Sequence, residues 1–256
     1  MEIVILENPH QVCATAAAIV RRALKAKPST VLGLATGRTM EKVYGELIEA
    51  DFGEATTFNL DEYMGVGPED PGSYAHYMQE HLFRHVNLSA ERINLLDGLT
   101  DDPEKECRSF EEAIERAGGI DIQLLGIGEN GHIAFNEPGS SLASRTRFKT
   151  LASSTIASNK ECFPGGEPPR HVLTMGVGTV LESRLCLLLA YGRRKAQAVA
   201  SMAEGPLTAM CPASALQMHP RTIALLDEEA ALQLKLVDYY KLAYQQKPES
   251  LKYPMV

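Results

Sequence analysis

The stretch "IDIQLLGIGENGH", Ile120–His132, changes character half-way along, and that change decides the fold. Its first half is an apolar run too short for a helix, and its second half is glycine and polar residues. A short apolar run that stops at glycine reads as a buried strand running into a loop. Six further runs have the same look: "EIVIL", "VLGLAT", "TTFNL", "INLLD", "RLCLLLA" and "TIALLD". Between them lie stretches of helical period at residues 12–26, 40–50, 73–85, 103–117 and 195–204, and "EEAALQLKLVDYYKLAYQQ" near the C-terminus reads as a final helix. Strand and helix in succession imply a mostly parallel sheet with helices on both faces. Right-handed crossovers make it doubly wound and Rossmann-like. Residues 1–256 are expected to form a single α/β domain, with the Pro- and Gly-rich segment "NKECFPGGEPPRH" inside a lid at about residues 150–175.

Composition narrows the function. The chain has 45% apolar and 23% charged residues and a formal net charge of −8, with no run of Lys and Arg that could form a basic stripe. Nucleic acid and anionic membrane therefore have no electrostatic footprint. The apolar runs are too short to cross a bilayer, and "MEIVILENPH" lacks the basic start of a signal peptide, so a cytoplasmic location is expected. Five scattered cysteines without a C-x-x-C pair suggest neither a disulfide framework nor a metal site. Cys13 and Cys186 read as small apolar residues, and Cys162 as a spectator thiol beside a turn.

In a doubly wound sheet, ligands bind beyond the carboxyl ends of the strands. Three segments stand there. "TGRT" (36–39) opens a helix with a glycine, either a phosphate cradle built from unpaired N–H groups or a plain turn in which Thr39 caps the helix. "DEY" (61–63) offers two acids, of which strand alternation lets at most one face the crevice. There it can shuttle a proton or serve as a turn or cap residue. "ENGH" (129–132) ends in His132, the one nearby side chain that titrates near neutral pH, with Glu137 five residues on to hold the imidazole. A carboxylate, an imidazole with an acidic partner and a phosphate cradle suit sugar phosphate chemistry that needs no cofactor or metal.

With "LGLATG", "TTFNLDEY", "ECRSFEEAI", "GGIDIQLLGIG", "NGHIAFNEPGSSLASRTR", "VLTMGVGT" and "SALQMHP" in order along nearly the whole chain, the sequence resembles the glucosamine-6-phosphate deaminases. That resemblance implies conversion of glucosamine 6-phosphate and water to fructose 6-phosphate and ammonia. It implies that His132 opens the pyranose ring, that Glu137 orients and charges it, and that Asp61 moves the proton from C2 to C1. Asn130 would hold His132 by a hydrogen bond. Gly37, Thr39 and Lys195 match the family's phosphate contacts, whereas Glu161 stands where the family has a lid arginine. Arg38, at a position usually small, or Lys160 would then supply the missing cation. A departure of this kind also leaves room for another amino sugar 6-phosphate, such as galactosamine 6-phosphate, or for a sugar phosphate sensor without turnover. Ser140, Arg147 and Lys149 match the segment that binds the activator N-acetylglucosamine 6-phosphate in hexameric members. The tyrosine those members use near the C-terminus is out of register, with Tyr240 adjacent. The resemblance leaves the oligomeric state open, from monomer to a homo-oligomer as large as a hexamer.

Overall fold

A computed structural model describes residues 1–160, 163 and 166–253. All seven apolar runs become strands of one sheet: β1 (Glu2–Leu6), β2 (Val31–Leu34), β3 (Thr56–Asn59), β5 (Ile93–Asn94), β6 (Ile122–Leu125), β9 (Cys186–Ala190) and β10 (Thr222–Asp227). Their order is β1-β10-β9-β6-β2-β3-β5, and every pairing is parallel. β2, β6, β9 and β10 are buried at every residue, as strands covered on both faces must be.

The connecting helices are α1 (Pro9–Ala26), α2 (Arg38–Gly45), α3 (Tyr74–His81), α4 (Pro103–Arg116), α5 (Ser153–Asn159), α6 (Val177–Leu181), α7 (Ala196–Glu204) and α8 (Val237–Gln245). Asn8 caps α1 through its side chain to the Gln11 N–H, with Pro9 in the first turn. The buried stripe of α1, including Ala14, Ala16, Ala17 and Val20, packs on β9 and β10 and against α2. Phe58 of β3 meets Phe110 of α4 edge to face. Since the chain runs back across the sheet from β5 to β6, a right-handed crossover assigns α4 the face opposite α2.

Three expectations need correction. Thr39 does not cap α2: Gly37 stands at the N-cap and the helix begins at Arg38, so Thr39 lies in its first turn. The final helix is only α8, because the Glu204 carboxylate of α7 takes the N–H groups of Lys235 (2.7 Å) and Leu236 (3.0 Å) and so fixes where it starts. A second sheet is also present, antiparallel in the order β4 (Asp61–Tyr63), β8 (His171–Thr174), β7 (Arg147–Thr150). The lid region thus holds the end of β7, α5 and all of β8, while Glu161 and Cys162 lie outside the described residues. Cys13 and Cys186 are buried, as are Cys107 and Cys211.

At the amino end of the sheet, Asp121 ties three strands together. Its carboxylate accepts from the Val31 N–H (2.8 Å), Lys27 Nζ (2.7 Å) and Arg184 Nη1 (2.8 Å). Burial opposes its ionisation, but these donors outweigh it and hold the carboxyl below its ordinary value. Replacing Asp121 with alanine should cost about 1–3 kcal/mol. Thermal melting should then occur several degrees lower while the Michaelis constant stays at the parent value, since the clamp lies at the pole opposite the loops described next.

Candidate active site

β2 and β6 are hydrogen-bonded neighbours, yet the chain leaves β2 toward β3 and β6 toward β9, in opposite directions. Such a reversal opens a crevice at the carboxyl ends. The segments that follow β2, β3, β6 and β9 carry all eight residues first expected to act on substrate, Asp61 in β4 and Arg38 and Thr39 in the first turn of α2.

After β2, Gly37 has φ 110°, a conformation reserved for glycine, and turns the chain into α2 so that the first N–H groups face outward. Arg38 is the first residue of α2 and exposed. After β9, Asp227 takes the Gly192 N–H and fixes the turn that leads to Lys195. Lys195 Nζ donates to the Ile127 carbonyl at 2.7 Å, which joins the β9 and β6 loops. Burial lowers the Lys195 ammonium's proton affinity, Glu129 opposes this, and the Arg194 and Arg38 charges add to it. Arg38 and Lys195 therefore lie within electrostatic reach of each other. Glu129 is itself paired with Arg194 at 2.8 Å.

Past β3 the chain steps into β4, where Asp61 and Glu62 are both buried. The two acids divide. Glu62 accepts from the N–H groups of Tyr63 (2.8 Å), Tyr74 (2.9 Å) and Ala75 (2.8 Å), so it holds the start of α3. Burial still outweighs these bonds and raises its pKa. Asp61 lies opposite Thr174 of β8. Burial first, and then the charge on Glu62, push its carboxyl well above the ordinary carboxylate range. Thr174 Oγ1 also accepts the Phe135 N–H at 3.1 Å, which brings the histidine loop against the strand pair that carries Asp61.

In that loop His132 Nδ1 lies 3.6 Å from Glu137 Oε2, an ion-pair distance too long for a hydrogen bond. Asn130 bridges them: Nδ2 donates to Glu137 Oε2 at 2.8 Å, and Oδ1 accepts the His132 backbone N–H at 3.1 Å. Asn130 thus holds the backbone of His132 and not its ring. Glu137 Oε1 accepts the Ala152 N–H at 3.2 Å, at the start of α5. Burial opposes the charge on Glu137, but His132, the Thr155 hydroxyl and Asn130 overcome it and bring the pKa to about 2.

Ser140 is buried, with an unpartnered hydroxyl. Arg147 and Lys149 alternate on the more buried face of β7. Arg147 Nη1 donates to Asn136 Oδ1 at 2.9 Å, while Nη2 is buried without a partner. A cleft of about 630 Å³ lies beside Arg147, between α4 and β7, lined also by Arg108 and Glu111. Lys160 ends α5 and is exposed. Tyr240 lies elsewhere, its phenol hydrogen-bonded to Glu204.

The histidine loop and its surroundings match a known family. Residues 7–224 fit the glucosamine-6-phosphate isomerases/6-phosphogluconolactonase description. The chain belongs to that family. Within this isomerase/lactonase family it is 48% identical over 248 residues to the glucosamine-6-phosphate deaminase of Hahella chejuensis, covering 94% of this chain and 95% of the relative. Glucosamine-6-phosphate deaminase 2 of Bacillus subtilis is 46% identical over 249 residues, covering 93% and 100%. A solved monomeric glucosamine-6-phosphate deaminase superposes with a TM-score of 0.88 at 42% identity, covering 91% of this chain and all (100%) of that one. The 6-phosphogluconolactonase of Trypanosoma cruzi shares the fold, with a TM-score of 0.76 at 19% identity over 91% and 97% of the two chains.

Residue types offered a cap role for an acid of "DEY" without saying which acid or which helix, and gave no sign of Thr155 as a partner of Glu137 or of Thr174 as the link between two loops. Each role depends on which chain segment comes to lie opposite. Because the native Glu137 pKa is depressed, its ionised form contributes stability fully above about pH 4.5, and this is lost as pH falls toward about 2. In urea titrations across that window, the stability advantage of the parent over Glu137→Gln should shrink steadily as pH falls and vanish at the acid end.

Proposed function

We propose that the chain is a glucosamine-6-phosphate deaminase that converts glucosamine 6-phosphate and water to fructose 6-phosphate and ammonia. One observation carries the reading. A buried acid of raised proton affinity, an imidazole paired with an ionised carboxylate and a helix N-terminus beside a lysine all stand at one rim of the sheet, in a chain nearly half identical to named deaminases.

His132 transfers a proton at the pyranose ring oxygen and opens the ring, while Glu137 stabilises the imidazolium that this requires. Asp61 then takes the proton from C2 and returns it to C1. Its raised proton affinity suits that task, since a base nearer neutrality abstracts a carbon-bound proton more readily and still gives it back. The transfer passes through an enol with nitrogen on C2 and leaves an imine at C2. Water adds there, and the resulting carbinolamine expels ammonia as the ketone forms. The α2 N-terminus, Arg38 and Lys195 hold the 6-phosphate, with Arg38 supplying a guanidinium from the cradle side.

Coupled assays for ammonia and ketose phosphate, run over glucosamine, galactosamine and mannosamine 6-phosphates, test the reading. Fastest turnover of the glucosamine substrate supports it. Faster turnover of galactosamine 6-phosphate would move the assignment to that sugar, and binding without ammonia release would leave a sensor. Asp61→Asn should lower kcat by about 10²–10⁴-fold and stop exchange of the C2 hydrogen with solvent, with substrate affinity little changed. Exchange that persists would assign the base elsewhere. Arg38→Ser should raise the Michaelis constant for phosphorylated substrate, and an unchanged value would remove Arg38 from the phosphate site.

The unpartnered Arg147 Nη2 and Ser140 hydroxyl favour a second reading of the β7 segment, with Lys149, as a regulatory site for N-acetylglucosamine 6-phosphate. A sigmoidal rate curve that becomes hyperbolic on adding that ligand is the expected result, and a curve that does not respond would rule regulation out. A cytoplasmic location and assembly into an oligomer belong to the same proposal. Among the described residues no helix is long and apolar enough to cross a membrane.

A further inference from the structure

The loop between β2 and α2 is held from behind by phenols. Tyr44 Oη donates to the Ala35 carbonyl, Tyr77 Oη to the Gly37 carbonyl at 2.9 Å and Tyr191 Oη to the Arg38 carbonyl at 3.2 Å. The Tyr74 hydroxyl bonds the Thr36 hydroxyl, Tyr191 also reaches Thr39, and Cys13 Sγ lies 3.8 Å from the Thr39 carbonyl. Four of the nine tyrosines, drawn from α2, α3 and the residue after β9, thus place their hydroxyls on five consecutive residues, 35–39.

We propose that Tyr77 and Tyr191, with Tyr44 and Tyr74, are positioning residues for the substrate phosphate. The proposal rests on the reading that the α2 N-terminus takes that phosphate. In a trans peptide the C=O and N–H point in opposite directions, so a phenol that holds an oxygen also sets the direction of the N–H in the same plane. Holding the oxygens of Ala35, Gly37 and Arg38 turns the N–H groups of Thr36, Arg38 and Thr39 away from the phenols. A peptide that flipped would offer a carbonyl oxygen to an anion and repel it. Gly37 has no side chain to resist such a flip, and the Tyr77 phenol adds a second donor to the Gly37 oxygen, which also accepts the Met40 N–H at 2.8 Å. Tyr77 and Tyr191 are the two partly buried members whose hydroxyls hold backbone carbonyls, whereas Tyr44 is fully buried and Tyr74 bonds a side chain; phenylalanine keeps both rings.

The test compares Tyr77→Phe, Tyr191→Phe and the double variant with the parent enzyme. Each single change should raise the Michaelis constant for glucosamine 6-phosphate, and the dissociation constant for inorganic phosphate, about threefold to tenfold. The double change should raise both further, with kcat within about twofold of the parent. A double variant whose two constants are unchanged overturns the proposal, and so does a fall in kcat with both constants unmoved. If the double variant does not fold, the single variants decide by the same criteria. Titrating isotopically labelled parent protein with inorganic phosphate separates the two levels. Amide shifts at residues 36–39 sustain the underlying reading whatever the variants do, and their absence overturns both.

Discussion

Leu32 and Gly33 of β2 lie in parallel register with Ile122 and Gln123 of β6, and the chain leaves the two strands toward opposite edges of the sheet. No crossover helix can cover the gap between them at the carboxyl end, because each connection departs on its own side. The loops after these strands face each other across that gap. The neighbouring strands β3 and β9 add Asp61 on one flank and Lys195 on the other. Gathering residues from positions 37 to 195 is therefore a result of strand order, and the backbone needs no further device to achieve it.

The small antiparallel sheet closes the arrangement from above. β4 continues directly from β3, pairs with β8, and so ties Asp61 to the segment returning from the lid region. Tyr63 of β4 packs edge to face with Tyr74 and Phe135, and its hydroxyl accepts from Asn159 of α5 at 2.8 Å. Three buried carboxylates stand near one another in this layer, and each is treated differently. Glu62 is used up by backbone N–H groups, Glu137 is held ionised by an imidazole, an amide and a hydroxyl, and Asp61 is left with desolvation uncompensated. Similar side chains thus acquire separate roles through the number of donors that surround them.

The large sheet was legible in the sequence because its strands are buried on both faces, which forces continuous apolar runs with sharp ends. The second sheet was not. Its strands "DEY", "RFKT" and "HVLT" are three or four residues long and partly polar, and they form only because the lid region folds back on β4. Helix bodies were legible by their period, but the starts of α2 and α8 were not. One begins at a glycine with no side-chain cap, and the other is capped by Glu204 from another helix. The site residues were named from three strand ends and from family likeness. Their division of labour, as with Asn130 bonding the backbone of His132, depends on distances that no spacing encodes.

The imidazole of His132 rests directly on Gly128: a β-carbon built there would stand 2.3 Å from Cε1. The ring's berth is a hollow left by the lack of a side chain four positions earlier. A single methyl group at 128 can therefore evict the ring while the acid, the imidazole and the phosphate cradle all keep their chemical identity. Loss of turnover in this lineage need not leave its mark on any reactive group. A reader who checks only that Asp61, His132 and Glu137 persist would mistake such a silenced descendant for a working one.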